Sequence, residues 1–135
     1  CDFGPYRKVT EALRRARKAK VDIRRITISS DGQGSWSDYD EEGNLVRIGV
    51  SSVSAMHRQF RGLVLEDGEE LETALSLATL NPARALELPH KGRIQAGADG
   101  DILLMRREDL SLDTVLSMGR VMMKHGEIQV RGTYE

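Results

Sequence analysis

A carboxylate and a hydroxyl bracket the most suggestive loop of this chain. The β-branched run Ile26-Thr27-Ile28-Ser29-Ser30 ends in Asp31, and Gly32-Gln33-Gly34 then leads to Ser35. A carboxylate at the C-terminal end of a barrel strand faces the loops where active sites of that architecture are built. It can ligate a metal and can take a proton from an attacking water. The glycines after it would allow the backbone to approach a ligand closely. Ser-Asp-Gly is equally a turn sequence, and an Asp there could cap a helix. Spacing alone leaves both readings open.

Other groupings carry less. Asp38-x-Asp40-x-Glu42-Gly43 imitates the opening of a calcium loop, but the position that should supply a bidentate Glu is Gly49. It reads as a solvated turn. His57, His90 and His125 share no metal-ligand spacing and read as surface residues. The chain has no H-x-H, H-E-x-x-H, C-x-x-C, P-loop or G-x-S-x-G sequence.

The elements that must position Asp31 and Ser35 follow from periodicity. Pro5 suits a first helical position, and Val9, Leu13 and Ala16 keep helical spacing, which predicts a helix over about Pro5–Ala19. Its remaining faces carry Arg7, Lys8, Arg14, Arg15, Arg17 and Lys18 without interleaved aromatics, so they read as solvated rather than as a nucleic-acid footprint. Ile26–Ser30 predicts a strand covered on both faces, and alternation of helix and strand predicts an α/β fold with a parallel sheet. Asp40–Asn44 is a polar turn leading into Leu45–Gly49. Val53, Met56, Phe60, Leu63 and Val64 share one helical face, Asp67-Gly68 ends that helix, and Glu69–Leu80 forms another. Asn81-Pro82 is expected to cap and start a short helix over Ala83–Leu88.

Beyond Pro89 glycines recur, separating expected short antiparallel strands at Arg93–Gln95, Asp101–Met105, Thr114–Ser117, Arg120–Lys124 and Glu127–Val130. The expected boundary between an α/β part and a β part falls near residues 88–92. With 135 residues, 39% apolar, 30% charged and a net charge of −1, no global field draws the chain to nucleic acid or to a membrane. Its single cysteine, Cys1, permits no internal disulfide and is compatible with a reducing compartment. There is no apolar run of membrane-spanning length. The opening Cys-Asp-Phe-Gly, without an initiator Met, reads as the interior of a longer protein.

Three segments carry a family resemblance. Asn81-Pro82-Ala83-Arg84-Ala85-Leu86-Glu87-Leu88, Lys91-Gly92-Arg93-Ile94-Gln95-Ala96-Gly97 and Ala98-Asp99-Gly100-Asp101-Ile102-Leu103-Leu104-Met105 resemble the C-terminal signature of the amidohydrolase superfamily. Gly100 departs from the usual Ala before the Asp. Ser29-Ser30-Asp31-Gly32-Gln33-Gly34-Ser35, with Asp40–Leu45 and Ile48–Val50, is similar to the isoaspartyl (β-aspartyl) dipeptidases, as is the ending Lys124–Glu135.

The resemblance implies the C-terminal portion of a TIM-like (β/α)8 metal-dependent hydrolase. Residues 1–88 would be its last βα units and residues 89–135 part of a small β-sandwich. It implies a zinc-dependent dipeptidase acting on β-aspartyl dipeptides, with two metals, a cytoplasmic location and a homo-oligomeric whole protein. Asp31 would be the metal-ligating and proton-transferring aspartate, and Ser35 a substrate-binding residue. The family's other ligands, histidines and a modified lysine, have no counterpart here, and a full barrel needs about 250 residues. The isolated chain is therefore expected to be inactive, to lack a retained zinc pair, to need the missing N-terminal part as partner, and to expose apolar surface. Alternatives are a deaminase or cyclic-amide hydrolase of the same superfamily, or a non-catalytic remnant serving as an assembly module.

Overall fold

The computed structural model describes residues 9–132. The expected helix start at Gly4-Pro5 and the ending Thr133–Glu135 lie outside the described residues. The chain divides into two compact units, Cys1–Pro82 and Ala83–Glu135.

The first unit is organised by three amphipathic helices. In α1, Val9–Lys18, the i,i+4 pair Val9 and Leu13 is buried, while Arg14, Arg15 and Lys18 are exposed. In α2, Ala55–Leu65, Phe60 and Leu63 are buried, and in α3, Leu71–Ala78, Ala74 and Leu77 are fully enclosed. α2 packs on both α1 and α3. The surface between these elements is pinned by an Arg17–Glu69 ion pair of 2.8 Å and a hydrogen bond from the Thr10 hydroxyl to Asp67. Gly68, with φ of +69°, turns the chain between α2 and α3, where the helical period was expected to break.

Two features of this unit differ from expectation. Ile26 is extended, but Ile26–Ser30 forms no ladder among the described residues, and every strand pair there is antiparallel. A β-branched sequence favours an extended backbone, but a strand exists only through its partners. Here the ties are a backbone bond from Ile28 N–H to the Leu77 carbonyl (3.1 Å), at the end of α3, and a side-chain bond from Asn81 to the Ile26 carbonyl (2.8 Å). The second difference is a hairpin. β1, Ser35–Tyr39, pairs antiparallel with β2, Leu45–Val50, around the turn Asp40–Asn44, with a bulge at Asp38/Tyr39. Val46, Ile48 and Val50 of β2 are each about two-thirds exposed, so this ribbon presents apolar side chains at the surface.

α4, Leu80–Ala85, begins before Asn81, after Thr79 breaks helical geometry. Asn81 is therefore inside the helix, not its cap. Its side chain is 2% exposed and donates to the carbonyls of Ile23 (2.9 Å) and Ile26 (2.8 Å).

The second unit contains a four-stranded meander: β3, Ile102–Met105; β4, Leu112–Ser117; β5, Arg120–Lys124; and β6, Glu127–Ile128, paired in that order. The expected strand at Arg93–Gln95 is instead loop. Residues 90–99 close on themselves through Asp99 N–H to the His90 carbonyl (2.9 Å) and Ala98 N–H to that of Gln95 (3.0 Å). Gly92 (φ +78°) and Gly97 (φ +84°) supply the left-handed residues that closure requires. Lys91 reaches from this loop to Asp99 (2.9 Å) and Asp101, and Asp101 also accepts from Met118 N–H (2.7 Å). The Asp101 partnership raises the Lys91 ammonium above its ordinary range, and Lys91 in turn holds the Asp101 carboxyl below its own. Gly100 has a steric reason: a Cβ there would lie 2.9 Å from Gly119 N, whose N–H donates to the Gly100 carbonyl (2.9 Å).

Candidate active site

The segment leading to Asp31 is tied down before it reaches the loop. Asp22 caps a short 3-10 turn, Ile23–Arg25, by accepting from Arg24 N–H (3.0 Å). Its carboxylate is also gripped by the Arg24 guanidinium, at 2.6–3.0 Å, and this holds the Asp22 pKa down to about 2. The Asn81 amide then fixes the carbonyls of Ile23 and Ile26, and Ile28 is buried. Three residues later the chain emerges at Asp31.

Asp31 takes a left-handed conformation, φ +44°, and so does Gln33, φ +66°. Both are uncommon for residues with a Cβ. The turn is closed by Gly34 N–H donating to the Asp31 carbonyl (2.8 Å) and by Gly32 N–H donating to Ser30 Oγ (3.1 Å). Two further bonds tie it to the end of the hairpin: Gln33 N–H to the Ser51 carbonyl (2.8 Å), and Ser51 N–H to the Gly34 carbonyl (2.9 Å). The antiparallel pairing thus extends past β1 and β2 into the Asp31 loop itself.

No helix follows Asp31, so it is not a helix cap; β1 follows. Asp31 is exposed, and its carboxylate has no hydrogen-bond or ion-pair partner among the described residues. Ser35 opens β1 opposite Val50, also exposed, and shares its face of the ribbon with Ser37 by strand alternation. The other face carries Trp36, whose indole covers Gly49, with the Arg47 guanidinium 5.0 Å from the ring centroid and 3.6 Å from Asp38.

The remaining candidates lie elsewhere. Asp40 spends its carboxylate inside the hairpin turn, accepting from Asn44 N–H (2.7 Å) and Asn44 Nδ2 (3.1 Å), which keeps its pKa below the ordinary carboxylate value. This is the solvated turn expected there. His57 lies within α2. His90 Nδ1 is 3.1 Å from the Gly97 carbonyl, and His125 occupies the β5–β6 turn, 3.6 Å from Asp113. Among the described residues no three His, Cys, Asp or Glu side chains come together in a way that could hold a metal ion. A carboxylate oxygen is a suitable donor for a divalent metal, so Asp31 fits as one ligand, but not as a site by itself. Sequence reasoning missed the hairpin, the Ser51 bridge and the role of Asn81. Only the alternation in Ser35–Tyr39 could have signalled the first.

An α/β chain ending in a meander, with a carboxylate delivered into a clamped loop after a β-branched segment, fits the hydrolase class. Residues 6–122 match the amidohydrolase family, and the chain belongs to that family. It is similar to the β-aspartyl dipeptidase of Fervidobacterium islandicum AW-1, solved in complex with β-Asp-Leu dipeptide. The identity is 34% and the TM-score 0.83, over 98% of this chain and 36% of that one. A second structure of that enzyme gives 31% identity and a TM-score of 0.75, over 98% of this chain and 33% of the other. The adenine deaminase of Listeria innocua is 34% identical over 65 residues, which is 47% of this chain and 11% of the deaminase. The chain thus spans about a third of the dipeptidase and about a tenth of the deaminase.

Proposed function

We propose that this chain forms one wall of the active site of a β-aspartyl dipeptidase, with Asp31 as acid–base group and metal ligand and Ser35 as a substrate contact. The observation that carries the reading is its similarity, over nearly its whole length, to a β-aspartyl dipeptidase. The exposed, unpartnered carboxylate of Asp31 in a loop fixed from both sides suits the role. The other ligands would come from residues outside this chain, and the isolated chain is expected to be inactive.

Asp31 would accept a proton from the water that attacks the β-carboxamide carbon, and would deliver it to the leaving amine as the C–N bond breaks. A zinc centre at Asp31, binuclear by family expectation, would supply charge stabilisation and a more acidic water. Ser35, a hydroxyl on the exposed face of β1, would hydrogen-bond a substrate carboxylate. The test is hydrolysis of β-Asp-Leu by the full-length protein. Asp31→Asn keeps the shape but cannot carry the proton, and kcat should fall about 10²–10⁴-fold. A variant with wild-type kcat removes Asp31 from the reaction.

The deaminase similarity supports a second reading, purine deamination by the same family chemistry. Parallel assays with adenine and with β-Asp-Leu separate the two. An assembly module without chemistry would turn over neither substrate and would hold no stoichiometric zinc.

A further inference from the structure

The two glycines of the Asp31 loop are not where the backbone needs them. The left-handed residues are Asp31 and Gln33, whereas Gly32 and Gly34 both lie outside that region. What excludes a side chain at these positions is space. A Cβ on Gly32 would sit 2.5 Å from Val53 Cγ1. A Cβ on Gly34 would sit 2.6 Å from Cγ and from both carboxylate oxygens of Asp31. The carboxylate therefore lies directly over the Gly34 Cα.

We infer that Gly34 is a positioning residue, and that the space left by its missing side chain is the seat of the Asp31 carboxylate. The inference rests on the role proposed above for Asp31. Three backbone bonds of 2.8–2.9 Å hold Gly34 and Gln33 against Asp31 and Ser51, so the floor of the seat is fixed by backbone hydrogen bonds. A methyl group added there meets a short side chain free to rotate, not a backbone. The carboxylate gives way and the fold does not. A reacting group displaced by about 1 Å can lose about 10²-fold in rate.

The experiment compares Gly34→Ala and Asp31→Asn in the full-length protein, with Gly62→Ala as a helix control far along the chain. Kinetics use β-Asp-Leu, thermal unfolding is measured in parallel, and crystal structures of the parent protein and of Gly34→Ala locate the Asp31 carboxylate. The seat predicts that Gly34→Ala lowers kcat by about 10²-fold with KM nearly unchanged and moves the Asp31 carboxylate away from the Gly34 Cα. If Asp31→Asn is inactive while Gly34→Ala has wild-type kcat and an unmoved Asp31 carboxylate, the inference falls and the functional reading stands. If Asp31→Asn is fully active, the functional reading falls, and the position of the Asp31 carboxylate in Gly34→Ala alone decides the seat: moved supports it, unmoved overturns it. Should Gly34→Ala unfold, the same substitution in an Asp31→Ala background settles the matter. With the carboxylate gone the methyl has room, so its effect on Tm should vanish; an equal loss in both backgrounds overturns the inference.

Discussion

Replacing Asn81 by alanine should be among the most costly single changes in the first unit. Asn81 is 2% exposed and donates to two carbonyls, those of Ile23 and Ile26. The Ile23 carbonyl keeps a second partner, Ile26 N–H at 3.1 Å, so losing the amide costs about 1 kcal/mol there. Among the described residues the Ile26 carbonyl accepts from no other backbone donor, and at this half-buried residue its loss of the amide costs about 1–3 kcal/mol. A small return comes from Asn81 Oδ1, which is buried without a hydrogen-bond partner and disappears with the side chain. The sum is a loss of about 2–3 kcal/mol. Urea unfolding of the full-length protein, followed at constant m-value, measures it. Asn81→Asp sharpens the test, because it faces the same carbonyls with an acceptor. The folded state would then hold that carboxyl neutral, raising its pKa above the unfolded value of about 3.9. The destabilisation of Asn81→Asp should therefore be largest at neutral pH and shrink as pH falls through the raised value. If Asn81→Ala costs under about 0.5 kcal/mol, the bridge is not a stabilising element and the reasoning fails.

Gly62→Ala in α2 should stabilise by about 0.5–1 kcal/mol, since a Cβ there meets nothing within 4 Å and the residue is not left-handed; a measurable loss in the same unfolding experiment would contradict this. Gly49→Ala should do the reverse, because its Cβ would fall inside the Trp36 indole, with a cost of about 1–3 kcal/mol and a shift in Trp fluorescence. The Asp22 carboxyl should titrate near pH 2 by NMR. Its pKa is depressed on folding, so its stabilisation is present above the unfolded value near 3.9 and is lost as pH falls toward 2. Asp22→Asn should flatten that part of the stability profile.

What the sequence made legible was local. Leu13, Phe60 and Leu63 announced the first two helices because burial follows a 3.6-residue period that a single segment displays. The glycines of the second unit marked out the turns of the meander, although β4 starts earlier and β6 is shorter than expected. Asp31 and Ser35 stood out by type and spacing, and the family by its motifs. The failures are tertiary. Ser35-Trp36-Ser37-Asp38-Tyr39 lacks the β-branched residues that flag a strand, yet it pairs; Ile26–Ser30 has them and does not. Asn81 had the composition of a cap, but its two acceptors lie more than fifty residues earlier in the chain. Gly32 and Gly34 suggested backbone freedom, whereas their neighbours Val53 and Asp31 determine them sterically.

The chain has one tryptophan, and it lies on the hairpin that continues into the Asp31 loop. Trp36 stacks over Gly49 beneath the Arg47 guanidinium. Its emission is therefore a label-free optical reporter of this ribbon, while the second unit is silent at the same wavelength. In a preparation of this chain, ligand titrations read at Trp36 would sense the loop beside Asp31, and a melt followed by tryptophan emission would time the loss of the hairpin separately from that of the meander.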